Sequence, residues 1–442
     1  MASFTNVQGM FKQRYGRWID PLPDEHTLAD AGDFVPSENR PGLGYNFPVL
    51  TGLELGQTAN VDNSAFALNP AVDSTVLNAN LDGATIMLQS VVSYDTIYKS
   101  LNGNGNGSTG GSYKTALDQT VQAMLQGAAL YRELALAYGP GTSTAIASNI
   151  GVVGGSVSGV NLGATQVVYL TEASWIPGLW IIASGGGSGS AGSGMKVDIY
   201  QADGTTLRET NVNVDARPST TQTRLTLTKA ASAATVAAND RIVPLGWRTK
   251  SCFGLEAIYN NTGTIFGINA ASVAPWRCMT FSAGGALSRA KIMAMAAAVS
   301  INGVKNGGKL FVCAPTFADL AEEASALQRF TGNTDKVKRQ GASQLMYETA
   351  AGIIEVTVYQ YAKQGQAFFI STDNFRRVGS TDLTMRPIGG GAEAFFTHMP
   401  SNAGASMRIF SNQAPVFEMP YRNFLITGIQ NNTANGGVAL AS

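Results

Sequence analysis

Between Tyr113 and Tyr138 the apolar positions Tyr113, Leu117, Val121, Met124, Ala128, Tyr131, Ala135 and Tyr138 recur at steps of three and four, the spacing of one face of an α-helix. Ser112 stands before them as an N-cap residue and Gly139-Pro140 behind them as a stop. The spacing therefore predicts one helix over 112–138, roughly 40 Å long at about 1.5 Å per residue. Gly127 lies inside it, at a cost of up to about 1 kcal/mol relative to alanine. Upstream the apolar pattern thins. Residues 51–100 alternate sparse apolar and polar positions, in Thr75-Val76-Leu77-Asn78 and again over 86–92, which predicts a long strand pair. Residues 1–50 carry Pro21, Pro23, Pro36, Pro41 and Pro48 without a helical period and read as an extended arm. Isolated two-stranded ribbons are marginal in water, so arm and ribbon need another surface to lie on.

Downstream the period changes. Over 140–248 short runs rich in Val, Ile and Thr follow one another: Val167-Val168-Tyr169-Leu170, Leu179-Trp180-Ile181-Ile182 and Leu225-Thr226-Leu227. Asp203-Gly204 separates two alternating segments, 195–200 and 207–212, as a hairpin turn does. An inserted β-rich domain is expected here, with the Gly/Ser/Ala run 185–194 as a flexible loop. A helix is expected over 288–301, then a strand at 310–313. A second helix starts near Thr316 and Asp319, with Leu320, Ala324 and Leu327 on one face. Strands follow at 353–361 and 367–371, and the tail alternates at 394–397, 407–410 and 421–429, which suggests a closing antiparallel sheet. The class is α+β.

Composition changes the picture in one respect. Lys plus Arg and Asp plus Glu are 30 each, giving a formal net charge of zero, and only 14% of the 442 residues are charged. That excludes the basic excess of a dedicated nucleic-acid binder, and so sparsely charged a surface tends to associate. The ribbon is acidic: Glu54, Asp62, Asp73, Asp82 and Asp95 precede its first base, Lys99. Residues 1–20 hold no apolar run, and no stretch is apolar enough to span a bilayer, so neither a secretory signal nor a membrane partner is expected.

Catalytic motifs fail on context. Gly105 to Gly110 spells G-x-G-x-x-G, but between a polar loop and an overlong helix, where a dinucleotide site needs a buried strand and a short crossover helix. Gly303 to Gly308-Lys309 spells most of a P-loop, but Leu310 replaces the magnesium-binding hydroxyl, and the segment reads as a helix-to-strand turn. His26 and His398 are the two histidines, one in the arm and one at a strand end, and both read as surface or interface groups. Cys252, Cys278 and Cys313 lack any C-x-x-C spacing and read as small buried hydrophobes. Glu322-Glu323 and Glu348/Glu355 read as solvated carboxylates, short of a glycosidase pair. No catalytic, cofactor-binding or metal-binding residue is assigned, and no cofactor. The basic cluster Arg329, Lys336, Lys338 and Arg339 has two open readings: a solvated loop, or a patch that meets an acidic surface of a neighbouring copy, such as the 54–95 projection, or DNA phosphates.

The order of parts resembles the Hong Kong 97-type major capsid proteins of tailed bacteriophages. It is carried by the ribbon around 63–99, the helix 112–138, the stretch from Gly254-Leu255-Glu256-Ala257 to Ile268, the run Gly308 to Leu320, the strand 353–358 and the closing 424–429. The resemblance implies an N-terminal arm (1–50), an extended loop hairpin (51–100), a spine helix of the peripheral domain (101–139), a peripheral-domain linker (249–285), an axial domain (286–380) and C-terminal strands returning to the peripheral domain (381–442). The β-rich region 140–248 departs from the family pattern as an insertion. As function it implies a non-enzymatic subunit that forms pentamers and hexamers in an icosahedral virion shell, assembled in a bacterial cytoplasm. Its partners are copies of itself, scaffolding, portal and cement proteins, and packaged DNA held weakly. Lys99 sits at the ribbon base, so no crosslink is carried over. An encapsulin-like compartment and, from another class, a polysaccharide-binding or hydrolysing β protein are the alternatives.

Overall fold

The computed structural model describes residues 27–36, 45–60, 65–81, 83–95, 110–142, 148–159, 161–164, 166–183, 194–214, 223–327, 345–372, 374–385, 397–399 and 403–433. The chain opens with α1 (Thr27–Asp30), β1 (Asp33–Pro36), β2 (Tyr45–Gly52), β3 (Thr75–Leu81), β4 (Ala84–Ser93) and the long α2 (Gly110–Tyr138). Then come β5 (Gly151–Ser158), β6 (Gln166–Leu170), α3 (Pro177–Ala183), β7 (Lys196–Tyr200), β8 (Leu207–Val214), β9 (Arg224–Thr228), β10 (Arg241–Pro244) and α4 (Leu255–Tyr259). The remainder is β11 (Thr264–Ile265), β12 (Ile268–Asn269), β13 (Met279–Gly285), α5 (Arg289–Ser300), β14 (Gly308–Val312), α6 (Ala314–Leu327), β15 (Leu345–Thr349), β16 (Gly352–Val358), β17 (Gln366–Ser371), β18 (Phe375–Thr384), β19 (Thr397–His398), β20 (Gly404–Phe417) and β21 (Phe424–Ile429).

The long helix is there, one turn earlier than its cap residue suggested: it starts at Gly110, so Ser112 lies within its first turn. It packs on β4 and β20, where Met124, Ala128, Val92, Met407 and Ile409 form a buried cluster. At Gly127 the helix runs close to β4, where a Cβ would lie 3.3 Å from Leu88 Cδ2. At the other end Leu134 to Tyr138 are all buried, and the helix runs into the main core.

The ribbon is wired differently from the expected strand pair. β3 pairs with β2, and β4 pairs with β20 over ten residue pairs from Gly404↔Ser93 to Gln413↔Ala84. Alternation fixes which side chains share a face; it does not name the partner strand. β20 also carries β18, and β1 lies parallel on β18. The arm is thus partly seated on its own chain. Glu133 of the long helix accepts the backbone N–H groups of Leu28 and Ala29 at 3.2 and 3.0 Å, and Arg377 Nε donates to Gly32 O at 2.9 Å. Replacing Glu133 by Ala strands those buried donors. The expected loss is about 1–3 kcal/mol, read as a lower denaturant midpoint with faster amide exchange in 27–36.

Residues 151–244 close a six-stranded barrel in the order β10-β5-β6-β9-β8-β7. Val153, Val168, Leu170, Val197, Ile199, Val212, Leu225 and Ile242 are buried in it. Between β7 and β8 the expected turn is present, and the Asp203 carboxylate accepts from the Thr205 and Thr206 N–H groups at 2.9 Å each. The run 179–182 is a correction: it belongs to the helix α3 and is not a strand. Pro177 stands at the first helical position, where its missing N–H costs nothing, and a short apolar run does not distinguish a buried helix from a buried strand. The Gly/Ser run 185–194 lies outside the described residues except Gly194.

A six-stranded mixed sheet, β13-β21-β17-β14-β16-β15, forms the remaining layer. Its inner side packs on α5 and α6 through Ile292, Ala296, Leu310, Leu320, Ile354 and Phe369. Its other side carries Phe311, Phe368 and Ile370 into the core shared with Tyr138 and Tyr259. Ser288 caps α5 by accepting the Lys291 N–H, and the P-loop-like Gly303–Gly308 run is the turn into β14. Gly307 there sits at φ +71° with Ile353 O against the place of a Cβ. Two expectations shift. The second helix begins at Ala314, not Thr316, whose hydroxyl bonds Asn431 Oδ1 at 2.8 Å. The tail does not form one antiparallel sheet either, because β20 and β21 lie in different sheets and β21 pairs parallel with β13.

Candidate assembly surface

The residues proposed from sequence for chemistry do not converge. His26, Lys99, positions 105–109 of the glycine motif and the basic cluster Arg329, Lys336, Lys338 and Arg339 lie outside the described residues. His398 is in the two-residue strand β19, paired with Ala405. Glu323 spends one carboxylate oxygen on the Arg289 N–H at 2.9 Å. Glu348 and Glu355 sit on adjacent strands, opposite Ile353 and Met346. All three cysteines are buried and free, and burial pushes the Cys252 thiol up to about 12 and Cys278 higher still. Thiol reagents at neutral pH are therefore expected to label none of them in the folded protein and all on unfolding, counted by mass spectrometry; fast labelling of the native chain would contradict the packing. Among the described residues no helix is long and apolar enough to cross a membrane.

What the chain does present is the β2–β3 ribbon. Its root is fixed: Ala79 and Leu81 are buried, Asn80 N donates to Phe266 O at 2.9 Å, and Phe47 packs on Trp276 at 6.4 Å between ring centroids. Beyond the last strand pair, Gly52↔Thr75, the two arms stay side by side. Thr51 Oγ1 bonds Thr75 O at 3.1 Å, Asn69 N donates to Thr58 Oγ1 at 2.8 Å, and Asn69 Nδ2 donates to Gln57 O at 2.9 Å. The eight residues of β2, at roughly 3.3 Å each, make the paired part of the ribbon about 26 Å long. Its apolar side chains face solvent, with Leu53 64%, Leu55 70%, Phe66 55%, Leu68 79% and Val76 54% exposed, alongside Glu54 and Asp73. Several large apolar side chains exposed on one projection are the pattern of an interaction surface.

Sequence reasoning missed a buried ionic joint. Lys363 Nζ lies 2.6 and 2.7 Å from the two carboxylate oxygens of Glu256, and the two side chains are 2% and 6% exposed. Ser148 Oγ donates to Glu256 at 2.5 Å and Gln366 Nε2 at 2.9 Å. Tyr138 OH accepts the Lys363 N–H at 3.0 Å and donates to Tyr361 O at 2.8 Å. Burial lowers the Lys363 pKa, opposed by Glu256, and burial together with Glu256 holds the Tyr138 phenol well above its ordinary value. The joint ties the end of the long helix, the entry and exit of the barrel segment and the six-stranded sheet. A second cluster sets Arg132 and Arg377 on Asp382 at 3.2 and 3.0 Å. Burial pushes the Asp382 carboxyl up, but the Leu383 N–H and the two guanidiniums outweigh it and hold the group below its usual range. This cluster ties the long helix to the β18 strand and, through Arg377, to the arm at Gly32.

The chain has the mixed α+β fold of a phage capsid subunit: it matches a chain of the capsid asymmetric unit of cyanophage A-1(L) with a TM-score of 0.52 at 10% identity, over 94% of this chain and 96% of that one. Two further solved structures align over similar lengths, Gordonia phage Cozz (TM-score 0.44, 9% identity, 97% and 94% covered) and the capsid of a native GTA particle (0.44, 7%, 95% and 95%); the fold assignment rests on the first. No family model matches the chain, and no curated protein matches it in sequence.

Proposed function

We propose that this chain is a structural, non-catalytic major capsid protein of a tailed bacteriophage, a Hong Kong 97-type subunit that assembles into an icosahedral shell around packaged double-stranded DNA. The observation that carries the reading is the ribbon: a rigidly rooted, apolar, acidic two-stranded projection that its own chain leaves in water. Such an element gains its stability by lying across sister subunits, so that folding and assembly are linked. The capsid fold of the cyanophage chain supports the same reading. The arm, ribbon and long helix then serve as N-arm, extended loop and spine, residues 286–380 as the axial domain, and the barrel as an insertion available to neighbouring capsomers. Scaffolding and portal proteins belong to the same assembly, in the host cytoplasm. Zero net charge suits a shell that encloses DNA without gripping it, because each phosphate contact adds salt-dependent affinity. Electron microscopy and sedimentation of the purified full chain test this: closed shells or capsomers are expected, and a species that stays monomeric at high concentration would refute it.

A further inference from the structure

Five of the described residues other than glycine have a positive φ: Asn211, Ala231, Asn239, Thr249 and Phe266. Phe266 is the one aromatic among them, at +56°, and a bulky side chain in that region is an outlier. With Gly267 at +82° it makes the two-residue turn between β11 and β12, across which Ile265 pairs with Ile268. Hairpin turns with a positive φ at both positions ordinarily carry Asn-Gly, Asp-Gly or Gly-Gly. A residue held there against its preference persists only where its surroundings over-determine it, and such residues gather at switch points.

Two parts of the chain hold this turn in place. On one side stands the ribbon root. Phe266 O accepts the Asn80 N–H of β3 at 2.9 Å, and the Ile265 carbonyl accepts Trp276 Nε1 at 3.3 Å, with Phe47 of β2 packed on the Trp276 ring. On the other side stands the exit of the barrel segment. The Phe266 ring, 8% exposed, meets the half-buried Phe253 edge to face at 5.7 Å between centroids. Phe253 bridges Pro140 at the end of the long helix, Gly141 N donates to Cys252 O at 3.1 Å and Gly254 N to Gly139 O at 2.9 Å. Phe253 is thereby fixed to both connections of the barrel. We infer that the Phe266-Gly267 turn is a strained clamp through which the seating of the barrel biases the ribbon. A partner that shifts the barrel exit alters the clamp, and coupling of this kind runs in both directions.

Hydrogen exchange on the unassembled full chain tests the clamp. Gly267→Ala adds backbone strain without a clash, because its Cβ would meet nothing nearer than Asn78 O at 3.8 Å. Phe253→Ala removes the ring on the barrel side and leaves every ribbon residue as it is. Each is expected to speed exchange by about tenfold or more at the ribbon-root amides 45–52 and 75–81, while the amides of 308–312 and 366–371 keep their rates, as local opening requires. Gly267→Ala should also speed exchange at 252–254. Should circular dichroism show that Phe253→Ala does not fold, Phe253→Leu takes its place, keeping most of the volume and losing the ring edge. Ribbon amides that keep their parent rates in the Phe253 variant, or rates that rise equally at the ribbon root and in the six-stranded sheet, overturn the clamp. Every readout comes from a single free chain, so the result is independent of whether shells form.

Discussion

A chain in which residues 53–74 are replaced by an Asn-Gly turn should fold and fail to build shells. The register makes the excision clean: Gly52 and Thr75 are cross-strand partners, so a two-residue turn joins them as in an ordinary hairpin. The buried root, Ala79, Leu81 and Phe47 against Trp276, is untouched, and circular dichroism and the denaturant midpoint should stay near those of the full chain. What disappears is Leu53, Leu55, Phe66, Leu68 and Val72, all exposed. Burying one such side chain contributes about 1.5–3 kcal/mol. Losing Leu55, Phe66 and Leu68 alone therefore exceeds the ~2.7 kcal/mol that corresponds to a 100-fold change in an association constant. The critical concentration for assembly, measured by light scattering, should rise by at least about 100-fold. Shells of ordinary size at ordinary concentration would show that the ribbon is ornament and that other contacts hold the particle.

The ribbon was legible in the sequence as a thinly cored acidic projection because exposure, charge and alternation are local properties. Its wiring was not. Alternation at 75–78 and 86–92 marks two strands, yet the partner of the second is β20, more than 300 positions away, and no local pattern encodes that pairing. The same division runs through the molecule. The long helix, the Asp203-Gly204 turn and the capped helix α5 follow from short-range periodicity and caps. The run 179–182 failed because its four apolar residues fit a buried helix as well as a strand. The hollow beside the ribbon root joins Val49, Trp276, Val378 and Met419, which share nothing in sequence but hydrophobicity. A lone Lys363 close to the run Ala367-Phe368-Phe369-Ile370, in a chain only 14% charged, was the one local hint of the ionic joint, since a charge set among core residues needs a partner.

That joint gives the second large effect. Lys363→Met alone leaves the Glu256 carboxylate buried without its cation, and breaking such a pair costs about 3–5 kcal/mol, enough to move a denaturant midpoint far outside error. Replacing both residues by Met should recover a substantial part of the loss, because two well-packed apolar side chains have no charge to desolvate. The recovery should be incomplete, since Ser148 Oγ and Gln366 Nε2 lose their acceptor at about 1–3 kcal/mol for each donor left unsatisfied. Glu256→Gln provides an independent reading through pH. Glu256 opposes the burial that lowers the Lys363 pKa, so without the carboxylate the folded-state value falls further, while the unfolded chain holds its proton up to the ordinary 10.5. Between those two values the unfolded state binds more protons than the folded one, and stability rises with pH. Glu256→Gln should therefore regain stability relative to the parent as the pH is raised from neutrality toward 10, in urea titrations at stepped pH. A variant whose deficit stays constant across that range would mean that Lys363 reaches solvent or another anion once Glu256 is gone, and that the joint is looser than its 2.6 Å contact implies.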